Sequence, residues 1–172
     1  MLTVITGLAS SGKTCAMVWK ANNYAKRDWD VWFSSYDAVD HRLLDGVKRV
    51  THRVFLDEIP HLELGPKSVW MEDLPILPED VVLQQYRRWA DNTNIILSYA
   101  QPRNNLPPRK LIRMADVVYQ TELVTLDPDN LKVGLTTLKN RTEVASSTKL
   151  LIPLLHHPVR RWGTKLELLL ST

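Results

Sequence analysis

Residues 2–14 read LTVITGLASSGKT, in which an apolar run at 2–6 leads directly into a Gly-x-x-x-x-Gly-Lys-Thr pattern. The apolar run predicts a buried strand, and the residues from 13 to 26 predict a helix. Glycines in such a loop let the backbone curl until successive N–H groups face a phosphate, and the positive end of the following helix strengthens the attraction. The pattern predicts a phosphate-binding loop made of Gly7, Leu8, Ala9, Ser10, Ser11, Gly12, Lys13, Thr14 and Cys15.

Two side chains of this loop have predicted roles in holding a nucleotide. Lys13 should reach the β- and γ-phosphates, and the Thr14 hydroxyl should ligate Mg²⁺. The sequence lacks the Asn-Lys-x-Asp motif of guanine recognition, so ATP and Mg²⁺ are the expected cofactors. Cys15, the only cysteine, is expected to pack in the helix rather than to carry out redox chemistry.

Length and charge bound the class of protein. The 172 residues predict a single domain, with a core over residues 1–125 and a C-terminal β-hairpin extension over 130–172. A formal net charge of +3 permits a polyanionic partner without requiring one. The sequence shows neither a secretory signal nor an apolar run long enough to span a membrane, which favours a cytoplasmic protein.

Short apolar runs alternate with helical stretches along the first two thirds of the chain, as in a mainly parallel sheet flanked by helices. Further strands are predicted at residues 29–35, 54–56, 68–71, 94–99 and 116–119, and helices at 79–90 and 109–115. From residue 132 the pattern changes to a predicted hairpin with strands at 132–138 and 149–154, followed by a last strand at 165–170. The expected fold class is therefore α/β.

Hydrolysis also needs an acid near Mg²⁺ and a group that orients the attacking water, and two acid pairs are candidates. Glu72-Asp73 is favoured because the interval from Glu72 to Gln101 holds one helix and one strand, the usual separation in additional-strand P-loop ATPases. We assign Glu72 to the Mg²⁺ shell and Asp73 to the water. Asp57, followed by Glu58, is the alternative metal-binding acid.

Gln101 follows the strand at 94–99, the strongest core strand in the sequence. A side-chain amide at this position can contact both the γ-phosphate and the attacking water. The alternative is that Gln101 only caps a turn before Pro102.

The order of motifs resembles that of the FtsK/HerA superfamily of P-loop ATPases. The matching segments are GLASSGKT, SVWMED, a helix with YRRW, NIILSYAQP and PPRKLIRMADVVYQ, and the resemblance covers roughly residues 1–125. Within the superfamily, the chain is most similar to the genome-packaging ATPases of membrane-containing viruses and to the zonula-occludens-toxin-like assembly ATPases of filamentous phages.

This resemblance implies a RecA-like sheet, a homo-oligomeric ring, expected to be a hexamer, and ATP hydrolysis coupled to the movement of double-stranded DNA. Viral capsid or assembly proteins become candidate partners, and the host cytoplasm or the virion the expected location. Ring motors of this kind complete each site with an arginine from the neighbouring subunit; Arg87 and Arg88 are the first candidates here, and Arg103 is the next.

The sequence departs from the family in two respects. The order Glu72-Asp73 reverses the usual Asp-Glu, which leaves the choice of catalytic acid open. The assembly ATPases of filamentous phages usually carry a membrane-spanning segment, and the sequence contains none, which favours packaging over the assembly function.

Three further hypotheses remain open from the residues alone. A P-loop small-molecule kinase would share the loop and the size, and a nucleotide-gated interaction module would bind without rapid turnover. The segment Lys139-Asn140-Arg141 is either a hairpin turn that reaches DNA or a neighbour's nucleotide, or an ordinary polar turn.

Overall fold

The computed structural model describes residues 1–35, 39, 43–49, 64–102, 108–125, 131–141 and 149–153. Their elements are β1 (Leu2–Leu8), α1 (Lys13–Ala25), β2 (Asp30–Ser34), β3 (Lys48–Arg49), β4 (Ser68–Leu74), α2 (Asp80–Trp89), β5 (Asn94–Gln101), α3 (Arg109–Met114), β6 (Val117–Thr125), β7 (Leu131–Asn140) and β8 (Lys149–Pro153). The predicted strands at 54–56 and 165–170 lie outside the described residues, as do Asp57, Glu58 and Arg103.

One sheet contains all of these strands, in the order β3-β2-β4-β5-β1-β6-β7-β8. Neighbours from β3 to β6 run parallel, whereas the β6–β7 and β7–β8 pairs are antiparallel. The predicted α/β fold with a mainly parallel sheet and flanking helices is confirmed. Because β5 lies between β1 and β4, the ends of the three strands that carry the predicted site residues meet at one edge of the sheet.

Each face of the sheet has its own hydrophobic core. On one face α1 packs over Ile5, Met71 and Ile96, and on the other α2 and α3 pack over Trp70 and Leu97. The alternation of strand side chains assigns neighbouring residues such as Trp70 and Met71 to opposite cores. These two cores fix which strand residues can face the phosphate-binding loop, since the loop leads into α1.

Helix α2 has the charge order expected from its sequence. Asp80 lies in its first turn, and Arg87 and Arg88 lie in its last turn. Acids near the positive end and bases near the negative end of a helix favour the helical state. The prediction of this helix from residues 79–90 is confirmed.

The C-terminal part of the sheet differs from the predicted hairpin. β7 and β8 are antiparallel as expected, but β6 continues to Thr125 and pairs antiparallel with β7. The predicted strand covers only residues 116–119, and the next three residues, Gln120, Thr121 and Glu122, are polar. Thr121 nevertheless is buried, with hydrogen bonds for its hydroxyl. The hairpin is thus the second half of a three-stranded antiparallel meander attached beside β1.

Candidate nucleotide-binding site

The loop between β1 and α1 contains residues in the left-handed backbone region, which most residue types adopt only at an energetic cost. Gly12, which precedes α1, has φ 90° and ψ 18°, and Ser10 has φ 62°, both in the left-handed region. These turns bring the chain from the end of β1 into the first turn of α1. The free N–H groups of that first turn make the N-terminus of a helix a favourable site for an anion.

Strands of the meander press against both glycines of the loop. A Cβ atom at Gly7 would lie 2.4 Å from Ser11 Oγ and 2.4 Å from Thr121 Oγ1, and a Cβ atom at Gly12 would lie 2.5 Å from Val133 Cγ2. Carbon and oxygen atoms do not approach so closely without displacement. Glycine is therefore required at both positions by the packing of β6 and β7 as well as by the loop conformation.

Lys13 lies folded over its own loop. Its Nζ donates a hydrogen bond of 2.8 Å to the carbonyl oxygen of Leu8, and only 8% of the residue is exposed. Thr14 follows in the first turn of α1 with 7% exposure, and Cys15 is fully buried in the core beneath α1. The predicted phosphate-binding and Mg²⁺-binding side chains thus lie together at the carboxyl end of β1.

A short chain of hydrogen bonds joins the loop to β6. Thr121 Oγ1 donates to the carbonyl oxygen of Thr6 at 3.2 Å and lies 2.6 Å from Ser11 Oγ. With the single Thr121 proton directed to Thr6, the Ser11 hydroxyl is the donor to Thr121. The sequence did not predict the contact of Thr121 with the loop. Its only signal was a threonine within a β-strand, and threonines are common in strands whether or not they contact a polar group.

The two acids of β4 point to opposite faces of the sheet. Glu72 is on the α2 face, where its Oε2 accepts hydrogen bonds from Trp70 Nε1 at 2.9 Å and from Tyr86 Oη at 2.5 Å. Asp73 is on the α1 face with Met71, and Ser98 Oγ donates a hydrogen bond to it. Of the two carboxylates, Asp73 therefore shares a face with the helix that carries Lys13 and Thr14.

Glu72 acts on Tyr86 through this contact. Burial, then the Glu72 charge and the hydrogen bond between the two groups, raise the pKa of the Tyr86 hydroxyl. Tyr86 thus stays a neutral donor that fastens α2 to β4. These contacts hold Glu72 Oε2 on the face opposite α1, and the assignment of Glu72 to the Mg²⁺ shell stays a prediction.

Gln101 ends β5 directly beside Leu8, with which it is paired in the parallel ladder. The residue is 6% exposed, and within the described residues its Nε2 has no hydrogen-bond partner. A buried amide donor without a partner is costly and needs an explanation. A polar ligand at the adjacent loop would supply one.

The two arginines of α2 differ in their surroundings. Arg87 Nη1 lies 2.6 Å from Asp116 Oδ2, and the same carboxylate oxygen accepts the Leu2 N–H at 2.8 Å. Burial alone would raise the pKa of Asp116, but the bonds from Leu2 and Arg87 and the Arg87 charge lower it overall. Arg87 thus joins α2 to the edge where β1 and β6 begin, the edge opposite the loop, whereas Arg88 is exposed.

The Lys139-Asn140-Arg141 segment does not form the tip of a turn as proposed. Lys139 and Asn140 end β7, and Lys139 Nζ donates to the carbonyl oxygens of Ile112 at 2.5 Å and Ala115 at 2.6 Å. Arg141 Nη2 donates to the carbonyl oxygen of Arg113 at 2.9 Å. Both basic side chains satisfy carbonyl groups at the C-terminal end of α3, a structural role that cations commonly have.

Comparison with known proteins finds a solved structure of similar fold. No family model matches the chain, and no curated protein matches it either. A solved structure does: flagellar accessory protein FlaH from Methanocaldococcus jannaschii, with a TM-score of 0.59 over 86% of this chain and 82% of that chain. The chain has a RecA-like P-loop fold. At 18% sequence identity, the likeness to FlaH extends to the fold alone.

The described residues also bear on membrane and metal binding by the RecA-like chain. None of the described helices is long and apolar enough to cross a membrane. The described residues also contain no cluster of three or more His, Cys, Asp or Glu side chains suited to a metal ion. A Mg²⁺ ion that arrives with a nucleotide needs no such cluster, because phosphates and water supply most of its ligands.

Proposed function

We propose that this chain is the ATP-hydrolysing subunit of a motor that packages or translocates double-stranded DNA. The observation that carries the proposal is the position of β5 between β1 and β4, with Lys13 and Thr14 at the end of β1 and Asp73 on the same face of β4. The proposal that the substrate is DNA rests on the resemblance of the sequence motifs to the FtsK/HerA superfamily.

The proposed roles follow from the positions of the side chains. Lys13 exchanges the Leu8 carbonyl for the β- and γ-phosphates of ATP, and Thr14 provides the protein ligand to Mg²⁺. Asp73, rather than Glu72, holds water in the Mg²⁺ shell, while the Gln101 amide orients the attacking water. A Mg²⁺ ion held there by Thr14 and by water on Asp73 would neutralise negative charge on the phosphate oxygens. Asp57 and Glu58 remain the alternative acids.

The adjacent acids provide a matched pair of variants for the ATPase assay. Asp73→Asn is expected to reduce kcat about a hundredfold or more, because the group that orders water at the metal is lost. Glu72→Gln keeps an acceptor for Trp70 and Tyr86, so its kcat should stay within about tenfold of the wild-type value. Lys13→Ala serves as the binding-deficient reference. If Glu72→Gln abolishes turnover and Asp73→Asn does not, the roles of the two acids are reversed.

Exposed basic residues on α2 and α3 support a polyanionic partner. Arg88, Arg109 and Arg113 are exposed, and none of them forms an ion pair within the described residues. Contacts of this type bind phosphates without reading sequence and weaken steeply with salt. We expect double-stranded DNA to raise ATP turnover at low salt and to do so much less at high salt.

The DNA experiment compares steady-state ATP hydrolysis with and without double-stranded DNA at two salt concentrations. Arg109→Gln combined with Arg113→Gln should reduce the stimulation while basal hydrolysis stays the same. Lys26→Gln, which removes a charge from the end of α1, is the control. If DNA changes turnover at neither salt concentration, the motor proposal fails, and phosphoryl acceptors for a kinase reaction should be screened.

In the proposed homo-oligomeric ring, expected to be a hexamer, Arg88 is the stronger candidate for the arginine that acts on a neighbouring site. Arg87 is engaged with Asp116 inside its own subunit. Arg88→Gln should lower kcat by about 10³-fold or more with little effect on unfolding, whereas Arg87→Gln should mainly lower stability. Mixing Lys13→Ala subunits with Arg88→Gln subunits should restore part of the activity, since each supplies what the other lacks. If mixing restores nothing, the arginine does not act between subunits.

A further inference from the structure

A cavity lies beside α1, away from the phosphate-binding loop. It has a volume of about 150 Å³ and is lined by Trp19, Lys20, Asn23, Tyr24 and Arg27. The first of these residues follows Lys13 by roughly 9 Å along the helix axis, at 1.5 Å per residue. The proposed ATPase mechanism uses none of these side chains, so the cavity calls for its own explanation.

Among the described residues, the cavity is lined by two cationic side chains, Lys20 and Arg27, and by no acidic one. Lys20 Nζ lies 4.4 Å from the centre of the Tyr119 ring. In the part of the chain that the structure describes, neither Lys20 nor Arg27 forms an ion pair with a carboxylate. Burial lowers the pKa of the Lys20 ammonium to about 8. An aromatic ring is a weak substitute for the water that Lys20 loses.

We propose that this cavity binds a phosphate dianion, with Lys20, Arg27 and the Asn23 amide as donors. A phosphate monoester carries about −1.5 to −2 charges near neutral pH, which matches two cations. The volume is well below the about 300 Å³ at which pockets for drug-sized ligands begin, so the site fits a single phosphate group rather than a whole nucleotide. Trp19 and Tyr24 add aromatic walls to the cavity, and an apolar wall beside two charges strengthens the attraction between them.

The phosphate can come from two sources, free inorganic phosphate or the terminal phosphate of a nucleic acid strand. Both offer the same dianion to Lys20 and Arg27. The site does not depend on ATP hydrolysis, so it can be tested in a Lys13→Ala background in which the loop's own affinity for phosphate is reduced.

The test measures how fast Lys20 reacts with trace acetic anhydride, quantified by mass spectrometry. A neutral amine reacts and a phosphate-bound ammonium does not, so phosphate should slow Lys20 acetylation by about threefold or more. Lys26, exposed directly after the end of the same helix, is the internal control and should be unaffected. Chloride at matched ionic strength should protect neither lysine.

Three ligands distinguish the sources: inorganic phosphate, a short oligonucleotide with a 5′-phosphate, and the same oligonucleotide with a 5′-hydroxyl. Protection by phosphate and by the phosphorylated strand supports the shared site, and protection by one of them alone identifies its source. Arg27→Gln should remove the protection of Lys20 by phosphate. Acetylation of the wild-type chain with the same three ligands controls for misfolding of the Lys13→Ala variant. The proposal is overturned if phosphate protects Lys20 and Lys26 equally. It is also overturned if chloride or the 5′-hydroxyl strand protects Lys20.

Discussion

The hydrogen bond between Ser11 and Thr121 connects the phosphate-binding loop to β6, and its removal can be predicted from the structure. Thr121→Val keeps the shape of the side chain but removes the oxygen that lies 2.6 Å from Ser11 Oγ. Ser11 is 7% exposed, so water cannot easily replace the lost acceptor. The same substitution removes the donor to the Thr6 carbonyl.

The magnitude follows from the burial of these groups. A buried polar group left without its partner costs about 1–3 kcal/mol, so Thr121→Val should lower the free energy of unfolding by that amount. Thr121→Ser keeps both hydrogen bonds and loses one methyl group, for about 0.8 kcal/mol. The effect on binding depends on how often the loop keeps its arrangement in folded Thr121→Val. A loop that is correctly arranged in about a third to a tenth of these molecules binds nucleotide about 3- to 10-fold more weakly.

Urea unfolding and equilibrium titration with a non-hydrolysable ATP analogue measure the two effects separately. We expect Thr121→Val to be impaired in both, and Thr121→Ser to bind the analogue as the wild type does. Both variants lose some stability on this reasoning, so the affinity of the folded protein decides: a merely structural role would leave it unchanged in Thr121→Val as well. The reasoning is refuted if folded Thr121→Val binds the analogue with wild-type affinity, or if both variants lose the same amount of affinity.

Three further predictions test the packing around the site. Gly12→Ala should lose most nucleotide affinity in the same titration, and adding Val133→Ala should restore only part of it, since the left-handed backbone at φ 90° stays unfavourable. Because the folded-state pKa of Asp116 is lowered, its charge contributes stability above the unfolded pKa of about 3.9, and that stability is lost as the pH falls through the folded pKa. Asp116→Asn should accordingly lose stability at neutral pH and show a flatter acid limb in unfolding measured against pH; an unchanged limb would contradict this. Lys139→Met should lower the free energy of unfolding by about 1 kcal/mol in thermal or urea unfolding, because the carbonyls at the end of α3 lose their donor; Lys132→Met, on the same strand, is the control.

Much of the parallel part of the fold could be predicted because local pattern and tertiary role agree there. The loop at 7–14, the strand at 94–99 and the charge-ordered helix α2 each carry their own signal in neighbouring residues. The predicted interval between the acids and Gln101 also agrees with the observed order, in which β5 lies beside β4. β3 was missed because two residues are too few for any periodic pattern.

The orientation of the two acids could not be predicted for a different reason. Neighbouring strand residues face opposite sides of a sheet, so Glu72 and Asp73 must separate, but the sequence does not say which side holds α1. That information lies in the packing of Trp70 against α2, where Glu72 accepts hydrogen bonds from Trp70 on β4 and from Tyr86 on α2. The partners of Lys139 are similarly non-local, since its acceptors lie in a helix more than twenty residues earlier.

The meander has a closer relation to the loop than its place at the end of the chain suggests. Glycine at 7 and 12 is usually explained by the approach of phosphate, but here Thr121 and Val133 already fill the space that a Cβ atom would need. β6 and β7 therefore form one wall of the phosphate-binding loop before any nucleotide arrives. A displacement of β7 relative to β1 would change the space at Gly12 directly, so a partner that pulls on the meander would alter nucleotide affinity without touching the phosphates.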